Sequence, residues 1–342
     1  MAKTSSISKV FVTGADGMLG SNIVRELIRQ GYEPHCLVFP GRKTGTLDGL
    51  AIKEVTGNLL KPDSIEEGVA ACDAVIHVAA STAVWPGRNP KVVNVNLEGT
   101  RYLVEAAKKA GIKRFVHIGS ANSFAVGTAT QPGDEDGPYN NWKYKSDYMD
   151  SKYLTQQMLL EEHKNHRFPV IVLNPTFMIG PYDSGPSSGR LLLSVVQGNV
   201  PGYSHGVKNY VHAGDVAVAA ANALKTGQLG HCYIAGNENM DYETFFRLVC
   251  RVANVPFRLR YIPYPFVLIG GFFGSVWGRV SGVTPKLSVG IARMSGMQQY
   301  YTAAKAVREL GMPQTPVEQA VRDCLNWFEK NNYWSPHEEY QG

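Results

Sequence analysis

The sequence lacks any arrangement of cysteines that would indicate a metal site or a disulfide framework. Only five of its 342 residues are cysteine, none of them forms a C-x-x-C pair, and no histidine lies at a metal-binding spacing from them. They are Cys36, Cys72, Cys232, Cys250 and Cys324. We therefore expect free thiols in a reducing compartment and no bound metal ion.

Long runs of charge of one sign are also absent. The 34 basic and 29 acidic residues give a net charge of +5 and are spread along the chain. No cluster of Lys and Arg is typical of a nucleic-acid surface. The first residues, MAKTSSISKVFVTG, contain no apolar signal-peptide core. We therefore expect a cytoplasmic protein that does not bind nucleic acid.

An uninterrupted apolar stretch long enough to span a bilayer is missing as well. The most apolar segment, YPFVLIGGFFGSVWGRV at 264–280, is interrupted by four glycines and an arginine. It falls short of the roughly 20 apolar residues that a transmembrane helix needs. This composition favours a buried helix or the wall of an apolar pocket, with peripheral membrane contact as the alternative.

What the sequence does contain is a regular alternation of strand and helix patterns through its first half. Strands are predicted at 9–14, 34–39, 51–57, 73–80, 114–120 and 169–174, and helices at 18–31, 97–111 and 142–166. Such alternation predicts an α/β fold with a doubly wound, Rossmann-type parallel sheet. Beyond Pro175 the pattern becomes irregular and rich in Gly and Pro, which indicates a smaller C-terminal substrate domain.

We divide the chain into two domains on this basis. Residues 1–174, together with about 209–235, are predicted to form the dinucleotide-binding domain. Residues 175–208 and 236–342 are predicted to form the substrate domain. The boundary is interleaved because the segment YVHAGDVAVAAANAL is expected to return to the first domain.

A glycine-rich turn lies between the first strand and the first helix. The segment VTGADGMLGSNI contains Gly14, Gly17 and Gly20, with Met18 and Leu19 in the same turn. Glycine allows the backbone to approach a pyrophosphate closely, and the helix N-terminus supplies N–H donors and the positive end of a dipole. Because the turn follows a strand and opens a helix, these five residues are predicted to bind a dinucleotide.

The loop after the second strand indicates which dinucleotide is bound. The segment LVFPGRKTG contains no acidic residue and carries Arg42 and Lys43. An acidic residue here would bind the ribose 2′-OH of NAD, whereas a basic residue accommodates the 2′-phosphate of NADP. We therefore favour NADP(H), with NAD(H) as the alternative if the two basic residues only form a solvated loop.

Two further strand ends are predicted to face the cofactor. Asn58 and Leu59 follow the third strand, where they would edge the adenine. Ala79 and Ala80 end the fourth strand, and their small side chains would allow a dinucleotide to approach closely.

The segment SDYMDSKYLTQ at 146–156 places Tyr148 one helical turn before Lys152, on the same face of a helix. An unperturbed tyrosine has a pKa near ~10, too high for efficient proton transfer at neutral pH, and a nearby ammonium lowers it. By itself the pair is compatible with a solvated helix face. Its position in a β-α series that begins with a glycine turn favours a catalytic pair.

Together these motifs resemble the extended short-chain dehydrogenase/reductase family, within the NAD-dependent epimerase/dehydratase superfamily. The matching segments are T-G-x-x-G-x-x-G at 13–20, HVAA at 77–80, NLEGT at 96–100, FVHIGSA at 115–121, Y-x-x-x-K at 148–152, LNPTFMIGP at 173–181 and NYVHAGDVA at 209–217. The last segment and the apolar C-terminal stretch are most similar to the dihydroflavonol-reductase and 3β-hydroxysteroid-dehydrogenase branch.

The resemblance implies roles for the central residues. Tyr148 would exchange a proton with the substrate oxygen, while Lys152 would assist it and bind the nicotinamide ribose. Ser120 would hold the substrate carbonyl, with Ser123 as the alternative.

It also implies contacts with the cofactor from neighbouring segments. Pro175 and Phe177 would lie beside the amide group of the nicotinamide. Asn96 would supply a hydrogen bond that is either part of the active site or purely structural.

Three functions are compatible with these residues. The leading one is NADP(H)-dependent hydride transfer to or from a carbonyl or alcohol carbon of a moderately apolar substrate. The second is a nucleotide-sugar epimerase or dehydratase with retained NAD, but such relatives usually have an arginine where this chain has Lys208, unless Arg190 replaces it. The third is a non-catalytic dinucleotide-binding sensor, which would usually lack the Tyr and Lys. The resemblance also allows a homodimer.

Overall fold

The structure is a computed structural model that describes residues 6–42 and 44–335. Lys43, one of the two predicted 2′-phosphate ligands, lies outside the described residues. The strands are β1 (Lys9–Thr13), β2 (Glu33–Val38), β3 (Lys53–Thr56), β4 (Ala74–His77), β5 (Arg114–Ile118), β6 (Val170–Pro175), β7 (Phe177–Ile179), β8 (Gly202–Tyr203), β9 (Val207–His212), β10 (Cys232–Ala235), β11 (Glu238–Asp241) and β12 (Arg260–Tyr261).

The α-helices surround these strands. They are α1 (Met18–Arg29), α2 (Asp63–Ala70), α3 (Pro90–Val93), α4 (Gly99–Ala110), α5 (Asp147–His166), α6 (Gly189–Val196), α7 (Ala213–Asn222), α8 (Tyr242–Ala253), α9 (Tyr264–Ser281), α10 (Val289–Met294), α11 (Ala304–Leu310) and α12 (Val317–Lys330). A π-helical turn joins α3 to α4, and 3₁₀ turns cover Gly45–Leu47, Ala121–Ser123 and Asn141–Tyr144.

The main sheet has seven parallel strands in the order β10-β6-β5-β4-β1-β2-β3. This arrangement confirms the predicted α/β, Rossmann-type fold. The chain leaves β1 towards β2 and β3 and then crosses to β4 on the other side. The order of strands therefore reverses between β1 and β4, and ligands of such sheets bind in the crevice beyond the carboxyl ends at that point.

Alternate side chains of each strand point to opposite sides of the sheet, and helices cover both sides. Both faces of the sheet are therefore buried. Val12 and Ile76 face α1, α7 and α11, whereas Phe11 and Phe115 face α2, α4 and α5. These layers hold the strand ends, and therefore the crevice, in a fixed geometry.

The second half of the chain adds a smaller layer. A three-stranded sheet in the order β11-β9-β7 carries a third apolar cluster shared with α6, α8 and α12. At its centre the rings of Tyr210 and Phe245 stack with centroids 4.0 Å apart. The assignment of chain segments to two domains stays a prediction.

Helix α9 contradicts the expectation that 264–280 forms a buried helix, whereas Phe273, Trp277 and Val280 line a shallow, open apolar pocket. Its large apolar side chains are exposed, and its buried positions are Gly271, Ser275 and Gly278. The reason is packing: the small residues allow α9 to lie so close to its neighbours that its large side chains are left on the outer face. Among the residues that the structure describes, no helix has both the length and the apolar character needed to cross a membrane.

Candidate active site

The glycine turn lies at the crevice between β1 and β4. Gly14 has φ +65°, and a Cβ there would meet Ala79 Cα at 2.8 Å. A Cβ at Gly20 would collide with the Gly14 carbonyl oxygen, whereas a Cβ at Gly17 would meet only that oxygen, at 3.5 Å. The packing of the protein therefore requires glycine at the first and third positions. The space beside Gly17 is not filled by other atoms of the described residues. A pyrophosphate could therefore approach the backbone closely at this position.

The N-terminus of α1 is free to receive an anion. Its N-cap, Gly17, has no side chain to cap the helix, and its first turn has no acidic residue. The first intrahelical bond runs from Ser21 N to Gly17 O, at 2.8 Å. The N–H groups of Met18, Leu19 and Gly20 thus have no partner within the helix. These residues fit the phosphates of a dinucleotide.

Arg42, one of the two basic residues predicted to bind a 2′-phosphate, lies beside the glycine turn. Its Nε is 2.5 Å from Asp16 Oδ2, and its side chain is 57% exposed. Thr46 also secures this loop, because its hydroxyl donates to Asp16 O at 3.0 Å. Asp16 was not among the predicted residues, although its place inside the glycine turn is visible in the sequence.

The predicted adenine-edge residues differ in what they offer. Leu59 is 7% exposed and belongs to the core, so that its side chain is turned away from solvent. Asn58 Oδ1 accepts a bond from Leu60 N at 2.9 Å and thereby closes the turn after β3. Ala79 and Ala80 are half-buried just beyond β4.

A chain of buried hydrogen bonds connects β1 and β4 to α4. Thr100 Oγ1 donates to Asn96 O at 2.6 Å, so it must accept from His77 Nε2, which is 2.9 Å away. Thr13 Oγ1 accepts from Val78 N and Ala79 N, so its own hydroxyl proton is donated to His77 Nδ1, 2.7 Å away. The imidazole is therefore neutral, in agreement with burial, which lowers the pKa of His77 to about 3. Its role is structural.

Asn96 connects the segment after β4 to the helix that carries Tyr148. Its Oδ1 accepts from Ser81 N at 2.7 Å, and its Nδ2 donates to Ser81 O at 3.0 Å and to Ser151 Oγ at 2.9 Å. These bonds favour the structural alternative for Asn96, because both ends of its amide bind protein groups.

The three predicted catalytic residues meet beyond the end of β5. The hydroxyl of Tyr148 lies close enough to that of Ser120 for the serine to lower the pKa of the tyrosine. Lys152 is buried, and its Nζ donates to Ile118 O at 2.8 Å. Ser123 is also buried, but its hydroxyl has no hydrogen-bond partner in the described part of the chain.

Burial dominates the electrostatics of this cluster. It raises the pKa of Tyr148, and the neighbouring Ser120 hydroxyl lowers that pKa by a smaller amount. Burial also lowers the pKa of Lys152 to about 8. The expectation that Lys152 lowers the pKa of Tyr148 was therefore wrong for this state of the protein. The reason is that removing a phenolate from water outweighs its favourable interactions.

Residues that the sequence analysis missed hold α5 in place. Arg88 Nη1 donates to Asp147 Oδ1 at 2.7 Å and to Asp150 Oδ2 at 2.8 Å. The hydroxyl of Tyr139 donates to Asp150 Oδ1 at 2.6 Å. Ser146 caps the helix N-terminus. The two acidic residues in the first turn were a visible signal for a helix start, but their distant partner was not.

Ser120 has a positioning partner on the neighbouring strand. Asn174 Oδ1 accepts a bond from Ser120 N at 2.9 Å. A Cβ at Gly119 would collide with that same oxygen, so the adjacent position requires glycine. The end of β6 therefore orients the end of β5.

A second set of polar side chains faces the site from the C-terminal half. Lys208 Nζ donates to Gln299 Oε1 at 2.8 Å, and Gln299 Nε2 donates to Asn122 Oδ1 at 2.9 Å. The Lys208 ammonium also lies 5.4 Å from the ring centroid of Phe177. Burial lowers the pKa of Lys208 to about 8. Pro175 is buried at the end of β6, just before Phe177.

The N-terminus of α7 is capped by a histidine. His212, and not Asp215, caps α7, because its Nδ1 accepts from Gly214 N at 2.8 Å. Asp215 instead accepts from both the backbone N–H and the hydroxyl of Thr315, each at 2.7 Å. It therefore ties α7 to the C-terminal segment.

Comparison with known proteins places this geometry in context. The model of the NAD dependent epimerase/dehydratase family matches residues 10–236. A Synechocystis sp. protein, provisionally named a dihydroflavonol 4-reductase, is 30% identical over 94% of this chain and 95% of its own. Sterol demethylase protein B of Methylococcus capsulatus is 27% identical over 93% and 97% of the two chains. The crystal structure of gox2253 superposes with a TM-score of 0.84 at 29% identity, covering 96% of this chain and all of its own.

Proposed function

Because the chain belongs to the NAD dependent epimerase/dehydratase family, we propose that it is an NADP(H)-dependent reductase or dehydrogenase acting on a moderately apolar substrate. The observation that carries the proposal is the convergence of Ser120, Tyr148 and Lys152 beyond the sheet edge that also holds the glycine turn. The names of the two similar proteins, a reductase and a sterol-processing protein, support the reaction type and the apolar substrate.

The bound nicotinamide would supply or accept the hydride, and the chain's own residues would handle the proton and the substrate oxygen. Ser120 and Tyr148 would bind that oxygen through their hydroxyls. Since burial raises the pKa of Tyr148, its hydroxyl keeps its proton at neutral pH and can donate it to a developing alkoxide. Lys152, with a pKa of about 8, is largely protonated at pH 7 and would stabilise the phenolate that forms.

The proposed preference for NADP(H) depends on Arg42. Its guanidinium is largely exposed and is held next to the glycine turn by Asp16. A 2′-phosphate would compete with Asp16 for this cation, and the phosphate offers the denser negative charge. NAD(H) is the alternative if Asp16 keeps the guanidinium.

The second candidate function is a nucleotide-sugar epimerase or dehydratase, which would use the same Ser, Tyr and Lys. Lys208 argues against it: the ammonium is engaged by Gln299 and by the ring of Phe177, and it lacks the two-pronged geometry with which arginine grips a diphosphate. Arg190, the other residue that could bind a diphosphate, donates from its Nε to the carbonyl oxygen of Pro186, four residues earlier in the chain.

Cofactor retention and turnover separate the two candidates. The purified protein is expected to contain little bound nucleotide and to consume NADPH faster than NADH with ketosteroids, flavonoids or aldehydes. Stoichiometric NAD in the purified protein, together with turnover of sugar nucleotides and none of the other panel members, would establish the epimerase or dehydratase instead.

Tyr148→Phe tests the proposed proton donor. We expect kcat/KM to fall by about 10²- to 10⁴-fold, the usual contribution of a general acid, with unchanged melting temperature and NADPH affinity. Tyr153→Phe is the matched control, because Tyr153 lies on the same helix and stacks on Tyr139 through its ring. Equal activity of the two variants would refute the role of Tyr148.

A further inference from the structure

The outer face of α9 is the largest exposed run of apolar side chains in the second half of the described chain. Phe266, Ile269, Phe272, Phe273, Trp277 and Val280 are all exposed, and Trp277 and Val280 reach 68% and 79%. Their spacing of three or four residues places them on one side of the helix. A continuous patch of this kind marks an interaction surface, whereas scattered apolar residues need no explanation.

The opposite side of α9 explains why this face cannot simply turn inwards. A Cβ at Gly271 would lie 2.7 Å from Ala292 Cβ, and one at Gly278 would lie 2.8 Å from Pro285 Cδ. A Cβ at Gly274 would lie closer still to the carbonyl oxygen of Leu287. No large side chain fits on that side, so the outward position of the aromatic residues is built into the helix.

The surroundings of this face are basic. From residue 244 to residue 308 the sequence contains nine Lys and Arg and no Asp or Glu. Five of the nine lie near α9 in sequence and are exposed: Arg258, Arg260, Arg279, Lys286 and Arg293. None of these five forms a salt bridge within the described part of the chain, whereas arginines further away, such as Arg247 and Arg251, do.

We propose that α9 docks on an anionic membrane surface, with its apolar face in the headgroup–acyl boundary and the five cations at the lipid headgroups. A helix with exposed aromatic residues and flanking Lys and Arg is suited to lie in the interface plane. A second copy of the chain is a poorer partner for this face. A twofold contact would bring the basic residues of this segment in one copy against the same residues of the other, and the segment from 244 to 308 contains no acidic residue to offset them.

The docking face lies next to the proposed active site. Helix α10 packs against α9 and against the 3₁₀ turn Asn141–Tyr144, which immediately precedes the helix of Tyr148. Tyr264, at the start of α9, bonds Arg293 O at 3.4 Å. If the proposed function holds, an apolar substrate would reach the site from the membrane; docking itself does not depend on that function.

Sedimentation with lipid vesicles tests the docking. The full chain is expected to bind vesicles that contain phosphatidylglycerol at least about tenfold more tightly than vesicles of phosphatidylcholine alone, and to be released by salt. The variant Phe272→Ser plus Phe273→Ser should lose binding. The triple variant Arg279→Gln, Lys286→Gln and Arg293→Gln, which changes only exposed residues, should bind about tenfold or more weakly.

A charge-matched control uses arginines that lie in ion pairs elsewhere. Arg247→Gln, Arg251→Gln and Arg308→Gln remove the same charge and should leave vesicle binding nearly unchanged. Failure of the unaltered protein to bind anionic vesicles would overturn the proposal, and so would equal losses in the two triple variants. Light scattering that shows a dimer, dispersed by Phe272→Ser plus Phe273→Ser, would assign the face to a second copy and also overturn it.

Discussion

Burial affects the pKa values of the side chains in the proposed site more than the contacts between these side chains do. Tyr148 and Lys152 lie one turn apart, yet desolvation is the largest cause of both pKa shifts. Each group is driven towards its neutral form, the tyrosine by a raised pKa and the lysine by a lowered one. Such a site is ready to donate a proton from Tyr148 near neutral pH.

The lowered pKa of Lys152 makes stability depend on pH. Between about 8, its folded pKa, and 10.5, the ordinary lysine value, the unfolded chain binds a proton that the folded chain does not, so stability rises with pH. We expect the unfolding free energy of the nucleotide-free protein, relative to Lys152→Met, to increase by about 1–2 kcal/mol from pH 8 to pH 9.5. Urea titrations at both pH values measure this. A difference that stays constant would show that Lys152 has an ordinary pKa.

Arg42→Ala tests the choice of cofactor. Because a charged hydrogen bond to the 2′-phosphate would be lost, we expect NADPH to bind roughly tenfold or more weakly, while NADH affinity stays the same. Fluorescence titration with both nucleotides measures the two affinities. Arg29→Ala is the control, since Arg29 is also largely exposed and also pairs with a carboxylate, Glu26, but lies in the last turn of α1. An unchanged preference for NADPH in Arg42→Ala would contradict the assignment.

At the scale of elements, the glycine turn and α5 show what patterns in the sequence can and cannot specify. The three glycines mark the end of β1 and the start of α1. Gly14 and Gly20 are required because a Cβ would collide with backbone atoms there, and Gly17 leaves open space beside the turn. The predicted helix over 142–166 begins only at Asp147, since residues 141–144 form a 3₁₀ turn and Ser146 caps the helix. Helix starts depend on such caps, which leave a weaker periodic signal than the helix itself.

Gly17→Ala and Gly20→Ala should separate folding from cofactor binding. Gly17 has φ −78° and room for a methyl group, so Gly17→Ala should melt almost normally but bind nucleotide poorly. Gly20→Ala collides with the Gly14 carbonyl and should lose about 3 kcal/mol or more of stability. Thermal melting and nucleotide titration of both variants test this. Normal nucleotide binding by Gly17→Ala would argue against a pyrophosphate at that turn.

At the scale of the whole molecule, the chain is an NAD(P)-dependent oxidoreductase of its family, with a dinucleotide crevice in the first half and contacts to it from the second. Gln299 provides such a contact: it bridges Lys208 in β9 and Asn122 next to Ser120. Asp215 and Thr315 form another link between distant segments. The predicted homodimer and the domain boundaries remain predictions.

Gln299→Ala should weaken substrate binding without affecting the cofactor. It leaves Lys208 without its acceptor and Asn122 without its donor, and an unpaired group in such a place costs enough to raise KM about tenfold. NADPH affinity should stay unchanged, because the glycine turn lies elsewhere. The neighbouring Gln298→Ala is the control, since Gln298 is exposed and its side-chain amide bonds His205 O rather than Lys208 or Asn122. Steady-state kinetics with saturating NADPH measure the KM of each variant for the substrate. Equal KM values for the two variants would contradict a role of Gln299 in substrate binding.

The sequence by itself determined the β-α alternation, the parallel sheet, the glycine turn and the spacing of Tyr148 and Lys152, because each rests on local periodicity or on short spacings. The role proposed for Ser120 came from the resemblance to the family. The tertiary structure alone decided what depends on distant partners. Arg88 holds the start of α5 from another loop, and the side chain of Leu59 turns into the core. The outward face of α9 was likewise hidden, since apolar composition does not tell which side of a helix has room to pack.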